Sequence, residues 1–190
     1  PGVFSKWLAY SINVLAMAGI LIMLYKIGRK ITGNNLYALI GVGAYALSIA
    51  CITTTIYLRM YATLTFWVLA FVYMSIKLYE KKNTVSIKDC ILLAVTVLCG
   101  VLTQYYFILF AGLTGLVFLV FKIKEKCGKD LIKYIIAAVV GAGLALCIYP
   151  YIISNVLGGN RGLSSLDMSA LDMVTVVTYV FYKLCTYVQI

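Results

Sequence analysis

Apolar runs separated by short polar patches recur along the whole chain, and they set its reading. A first run, Leu8 to Tyr25, ends at Lys26, Arg29 and Lys30, and after Gly33-Asn34-Asn35 a second runs from Leu36 to about Thr53. The patch Thr53-Thr54-Thr55 and Arg59 precede a third run, Tyr61 to Ile76, which ends at Lys77, Lys81, Lys82 and Lys88. Cys90 to Phe121 carries no charge. That stretch is too long for one comfortable crossing of a hydrocarbon core of roughly 30 Å and short for two. The insert Thr103-Gln104-Tyr105-Tyr106 divides it, so two short helices joined by a tight bend are expected there. Lys122, Lys124, Lys126, Lys129 and Lys133 follow, then a run from Tyr134 to Tyr149 closed by Pro150, a Gly/Ser/Asn-rich loop, and a last run from Leu171 onward. The pattern predicts an all-α polytopic transmembrane bundle of six or seven spans, with residues 1–190 forming one transmembrane domain.

Composition strengthens this. The chain is 64% hydrophobic and 12% charged, whereas a soluble domain keeps about a quarter of its residues charged. Its net charge of +10 would suggest nucleic acid in a soluble protein, but the lysines lie in clusters between apolar runs, so nucleic acid is not an expected partner and membrane lipids are. If the loops alternate sides, one face holds twelve of the sixteen Lys and Arg, and that face is expected to be cytoplasmic. Ten tyrosines near the run ends, among them Tyr25, Tyr61, Tyr79 and Tyr134, fit an interfacial aromatic belt. The six cysteines are scattered and read as small apolar packing residues. The absence of histidine removes the usual zinc sites and every His-based general base. The chain begins with Pro1 and stops at Ile190 inside an apolar run, which suggests a piece of a longer protein, and a lysine- and tyrosine-rich membrane protein suggests a bacterial plasma membrane.

The opposite face is poor in charge, so its polar residues are the candidates for chemistry. Arg59, flanked by Tyr57 and Tyr61, is either a hydrated interfacial anchor or a fork for phosphate or carboxylate. Gln104, Tyr105 and Tyr106 are either belt residues at a hairpin or hydrogen-bonding and stacking surface for a sugar. Arg161 stands in a flexible loop with Asp167 and Asp172, whose spacing demands neither a metal ligand nor a base. The pairs Gly112/Gly115 and Gly141/Gly143 mark small-residue faces for close helix packing.

The order of these features resembles the GT-C membrane glycosyltransferases, a group that includes protein O-mannosyltransferases and bacterial lipid-A aminoarabinose transferases. The resemblance covers roughly residues 8 to 125. It rests on Tyr25-Lys26-Ile27-Gly28-Arg29-Lys30, on Leu58-Arg59-Met60-Tyr61-Ala62 opening a span, and on Leu102-Thr103-Gln104-Tyr105-Tyr106-Phe107 ending a later one. It implies a GT-C-like core that transfers a sugar from a polyprenyl-phosphate carrier to a glycan, lipid or protein acceptor on the extracytoplasmic face. It also implies a carboxylate base and positive charge (from arginine, lysine or a divalent metal) for the leaving phosphate. Substrate contacts are expected from Arg59, Tyr61, Gln104, Tyr105, Tyr106 and Arg161. Nothing acidic precedes Glu80, so the base is expected in a loop upstream of Pro1, with no catalytic residue and no metal ligand inside these 190 residues. Gln104 stands where the group usually has His, which weighs against a proton or metal role there. The competing readings are a transporter or lipid flippase, and a membrane scaffold without chemistry.

Overall fold

The computed structural model describes residues 6–56, 60–81, 85–124 and 128–152. Among them every regular element is an α-helix: α1 (Lys6–Thr32), α2 (Asn35–Ala46), α3 (Ile49–Ile56), α4 (Tyr61–Glu80), α5 (Ile87–Thr103), α6 (Phe107–Lys124) and α7 (Gly128–Ile148). The chain divides into two compact units, residues 1–149 and 150–190, and the helices belong to the first. The last apolar run, from Leu171, lies outside the described residues.

Local chemistry sets the helix ends. α1 stops where Gly33 takes φ +67° and its amide donates to the Arg29 carbonyl at 2.9 Å, a left-handed end that suits glycine. Asn34 then caps α2, its side chain accepting from the Leu36 amide at 2.8 Å. α5 opens on a capping box between Ser86 and Asp89. α2 and α3 form one apolar run broken by a 58° bend. Neither Pro nor Gly sits at the break. Ser48 makes it instead, its hydroxyl donating to the Tyr45 carbonyl at 2.7 Å and accepting from the Cys51 amide at 3.2 Å. Thr53, Thr54 and Thr55 each return a hydroxyl to a carbonyl three or four residues back, so the polar patch continues the helix without water.

Four helices, α1, α4, α6 and α7, are long and apolar enough to cross a membrane, and five spans result if the bent α2–α3 pair counts as one. α5 has 17 residues, about 25 Å, which falls short of a core of roughly 30 Å. Leu109, Leu113 and Val139 are each more than 60% exposed, as side chains on a lipid-facing surface would be. The packed interior is small and aromatic. Phe71 meets Phe107 edge-on at 5.7 Å, and Tyr134 stacks on Phe118 at 4.0 Å. Tyr134, expected in the interfacial belt, is 4% exposed and its hydroxyl lies 3.1 Å from that of Ser75.

The small-residue faces separate into two kinds. A Cβ on Gly141 would fall 2.4 Å from the Ala94 carbonyl oxygen, so α7 crosses α5 there at backbone distance. Gly112 and Gly143 have nothing within 4 Å. Gly115 has only ordinary contact, with the Tyr134 ring 3.9 Å from a Cβ, so close packing explains Gly141 and not the other three. Gly19, which sequence pattern does not single out, holds the matching crossing of α1 against the ring of Phe66 on α4.

Candidate functional site

Interhelix contacts gather the lysine-rich ends at one end of the bundle. Lys30 of α1 pairs with Glu80 of α4. Lys81 donates to Asp89 Oδ2 at 2.5 Å and Lys77 lies 3.4 Å from Oδ1, which ties α4 to α5. Lys133 of α7 donates to the Val85 carbonyl at 2.9 Å. At the other end, Asn13 Nδ2 of α1 donates to the Thr55 carbonyl of α3 at 3.3 Å. Asn13, buried inside a hydrophobic run, is a polar contact that the sequence pattern gives no reason to single out.

The candidate residues lie toward that second end. Tyr61 is the first residue of α4 and is exposed. Gln104 ends α5 in extended conformation, at φ −160°, with its amide on the Gly100 carbonyl at 3.0 Å. The bend between α5 and α6 falls at the polar insert, as expected: Phe107, Ile108 and Leu109 donate to the carbonyls of Gln104, Tyr105 and Tyr106 at 3.0–3.1 Å. Phe107 folds back over Gly100, where any Cβ would lie 2.7 Å from its ring, so this glycine allows the tight return. The rings of Tyr105 and Tyr106 sit 4.3 Å apart, tilted by 38°.

Depth follows from helix length. Counted from the Lys81–Asp89 contact, α5 climbs about 22 Å to Gln104 at 1.5 Å per residue, which brings it level with the part of α4 near Phe66. The Phe71–Phe107 contact agrees with that level. On this count Gln104 is level with a point about 7.5 Å along α4 from Tyr61. Oε1 of Gln104 is buried and, among the described residues, has no hydrogen-bond partner. A buried acceptor left unpaired costs about 1–3 kcal/mol, so it is a place where a donor from a ligand would be stabilising.

Arg59 and Arg161 lie outside the described residues. The structure thus brings Gln104, Tyr105 and Tyr106 into one hairpin and puts Tyr61 on the neighbouring helix at the same end. Among the described residues no group of three or more His, Cys, Asp or Glu is placed to hold a metal ion, and no chemical step is assigned to one. No family model matches the chain, and neither a curated protein nor a solved structure matches it.

At the basic end, Lys122 is the residue that sequence reading missed. It reads as one of a run of solvated loop lysines, yet it is 0% exposed. Its ammonium donates to the Tyr79 carbonyl at 2.9 Å and lies 3.4 Å from that of Lys81, with the rings of Tyr79 and Phe118 at 5.3 and 5.9 Å. Nothing in a cluster of similar lysines marks which one turns inward.

Proposed function

We propose that this chain is the membrane core of a glycosyltransferase that moves a sugar from a polyprenyl-phosphate carrier to a glycan, lipid or protein acceptor. The reaction takes place at the end of the bundle opposite the lysines. The observation that carries this reading is the buried amide oxygen of Gln104, without a partner among the described residues, at a hairpin whose next two residues are tyrosines. A sugar hydroxyl supplies the missing donor, and tyrosine rings supply stacking surface. Arg59 stands immediately before Met60, the cap of α4. A guanidinium there meets the charge that develops on the departing polyprenyl phosphate. The lysine-rich end then faces the cytoplasm of a bacterial cell and the site faces out.

The test is release of polyprenyl phosphate by the intact protein in proteoliposomes. Gln104→Ala lowers turnover about tenfold, the equivalent of one hydrogen bond made to the reacting sugar, while Arg59→Ala lowers it further. Normal turnover in both variants removes the site assigned here.

One observation favours a second reading. The α2–α3 run is broken inside its apolar length, and broken helices in transporters line substrate sites near the middle of the bilayer. The residues around this break, Tyr45 to Cys51, carry no charge, and Ser48 and the local carbonyls satisfy each other. Movement of a lipid-linked sugar across proteoliposomes without release of polyprenyl phosphate would establish a flippase in place of the transferase.

A further inference from the structure

The space between α4 and α6 is a groove of about 250 Å³, lined among others by Val72, Ile76, Thr114, Val117 and Phe121. Its walls are almost wholly apolar, and the Ser75 hydroxyl on its α4 side is engaged with Tyr134. Toward the basic end the rings of Tyr79 and Phe121 meet edge-on at 5.8 Å and form the end of the groove. Lys124 follows Phe121 by three residues, about 4.5 Å further along α6, and is exposed.

Charge at this end is unbalanced. Glu80 is taken by Lys30, and Asp89 by Lys77 and Lys81. Asp130 is 1% exposed, withdrawn from the surface. Lys26, Arg29, Lys88, Lys124 and Lys129 remain exposed, and none belongs to an ion pair among the described residues. An apolar groove therefore leads to a cationic rim whose carboxylates are already used between helices.

We infer that this groove holds one acyl chain of an anionic phospholipid from the leaflet at the basic end, with the lipid phosphate on Lys124. A chain in the groove makes dispersion contacts that an empty cleft forgoes. Each basic residue near an anionic headgroup adds about 1 kcal/mol. A zwitterionic lipid supplies the same chain without the net charge, so the selection is for the headgroup. The site is independent of the hairpin at Gln104 and of the transferase reading.

The test uses the whole chain, purified in detergent with equal phosphatidylglycerol and phosphatidylcholine, and native mass spectrometry of the retained lipid. Wild type retains phosphatidylglycerol in preference. Lys124→Gln reduces that preference about fivefold, one charge's worth, while Lys26→Gln, on α1 away from the groove, leaves it unchanged. Val117→Trp fills the groove and removes the bound lipid of either kind. Val117 is 56% exposed, so the added ring lies outside the packed core, and Thr114→Leu serves as a smaller filler if that protein does not extract intact. Equal retention of the two lipids, a preference that survives Lys124→Gln, or lipid that persists in both groove variants overturns the proposal. Displacement by inorganic phosphate also overturns it, because the site would then be one for a free anion.

Discussion

Lys122 of α6 donates its ammonium to the main-chain carbonyl of Tyr79 on α4, 2.9 Å away. Tyr79 lies in the last turn of α4, where carbonyls have no partner within the helix. A cation there also opposes the negative end of the helix dipole. Asn13 plays the same part at the opposite end, donating to the Thr55 carbonyl in the last turn of α3. In both cases a neighbouring helix supplies the cap that the terminating helix lacks, which makes a helix end into a tertiary contact.

Replacing Lys122 with Met keeps most of the side-chain volume but removes the donor from the α4 carbonyls. Loss of about 1–3 kcal/mol is expected for each buried group left unpaired, seen as a lower melting temperature in neutral detergent. Lys124→Gln, two residues on and exposed, leaves that temperature unchanged. Equal effects of the two changes would mean that Lys122 acts only as surface charge.

The α5–α7 crossing depends on Gly141. Gly141→Ala forces a methyl toward the Ala94 carbonyl oxygen and costs about 1–3 kcal/mol through overpacking. Gly143→Ala meets nothing within 4 Å and is neutral or slightly stabilising through helix propensity. Chemical denaturation of both variants in mixed micelles distinguishes them, and a neutral Gly141→Ala would show that α7 does not cross α5 at this point.

Acid sensitivity is expected from Asp89. The Lys81 ammonium, with the Ser86 amide and Lys77, holds its carboxyl below the usual carboxylate range, against the opposing effect of burial. A folded-state pKa below the unfolded value of about 3.9 makes the contribution complete above that value, and it is lost as pH falls through the folded one. Melting temperature is thus flat from neutral pH to about pH 5 and drops below about pH 4. Asp89→Asn is less stable at neutral pH and loses this part of the acid response. A variant with the wild-type pH profile would remove Asp89 from the linkage.

Ser48 caps α3 through the Cys51 amide. Ser48→Ala removes that cap, worth about 1 kcal/mol, and frees the Tyr45 carbonyl from its hydroxyl partner. Spin labels placed on the exposed faces at Leu36 and Ile56 would report a straighter α2–α3 run. An unchanged distance distribution would mean that packing alone sets the bend.

Much of the architecture is legible in the alternation of apolar runs and lysine clusters. The order of the helices follows it, although α1, α4, α6 and α7 extend into the lysine clusters, and the hairpin falls where Thr103-Gln104-Tyr105-Tyr106 interrupts an uncharged stretch. The number of crossings was less legible, because hydropathy does not reveal that α5 is only 17 residues long or that α2–α3 is bent. The break carries neither proline nor glycine, only a serine whose capping role depends on the backbone turning there.

By itself the sequence determined an all-helical, membrane-suited chain with its lysines in clusters and a polar hairpin amid apolar residues. Those properties follow from solvation of side chains and backbone, which are local and readable by position. Only the tertiary structure decided that Lys122 turns inward while Lys124 stays out, that Gly141 touches a neighbour while Gly143 does not, and that the Gln104 amide oxygen is buried without a partner among the described residues. Each of those depends on which face of one helix meets which face of another, a relation between residues far apart in the chain that no local pattern encodes.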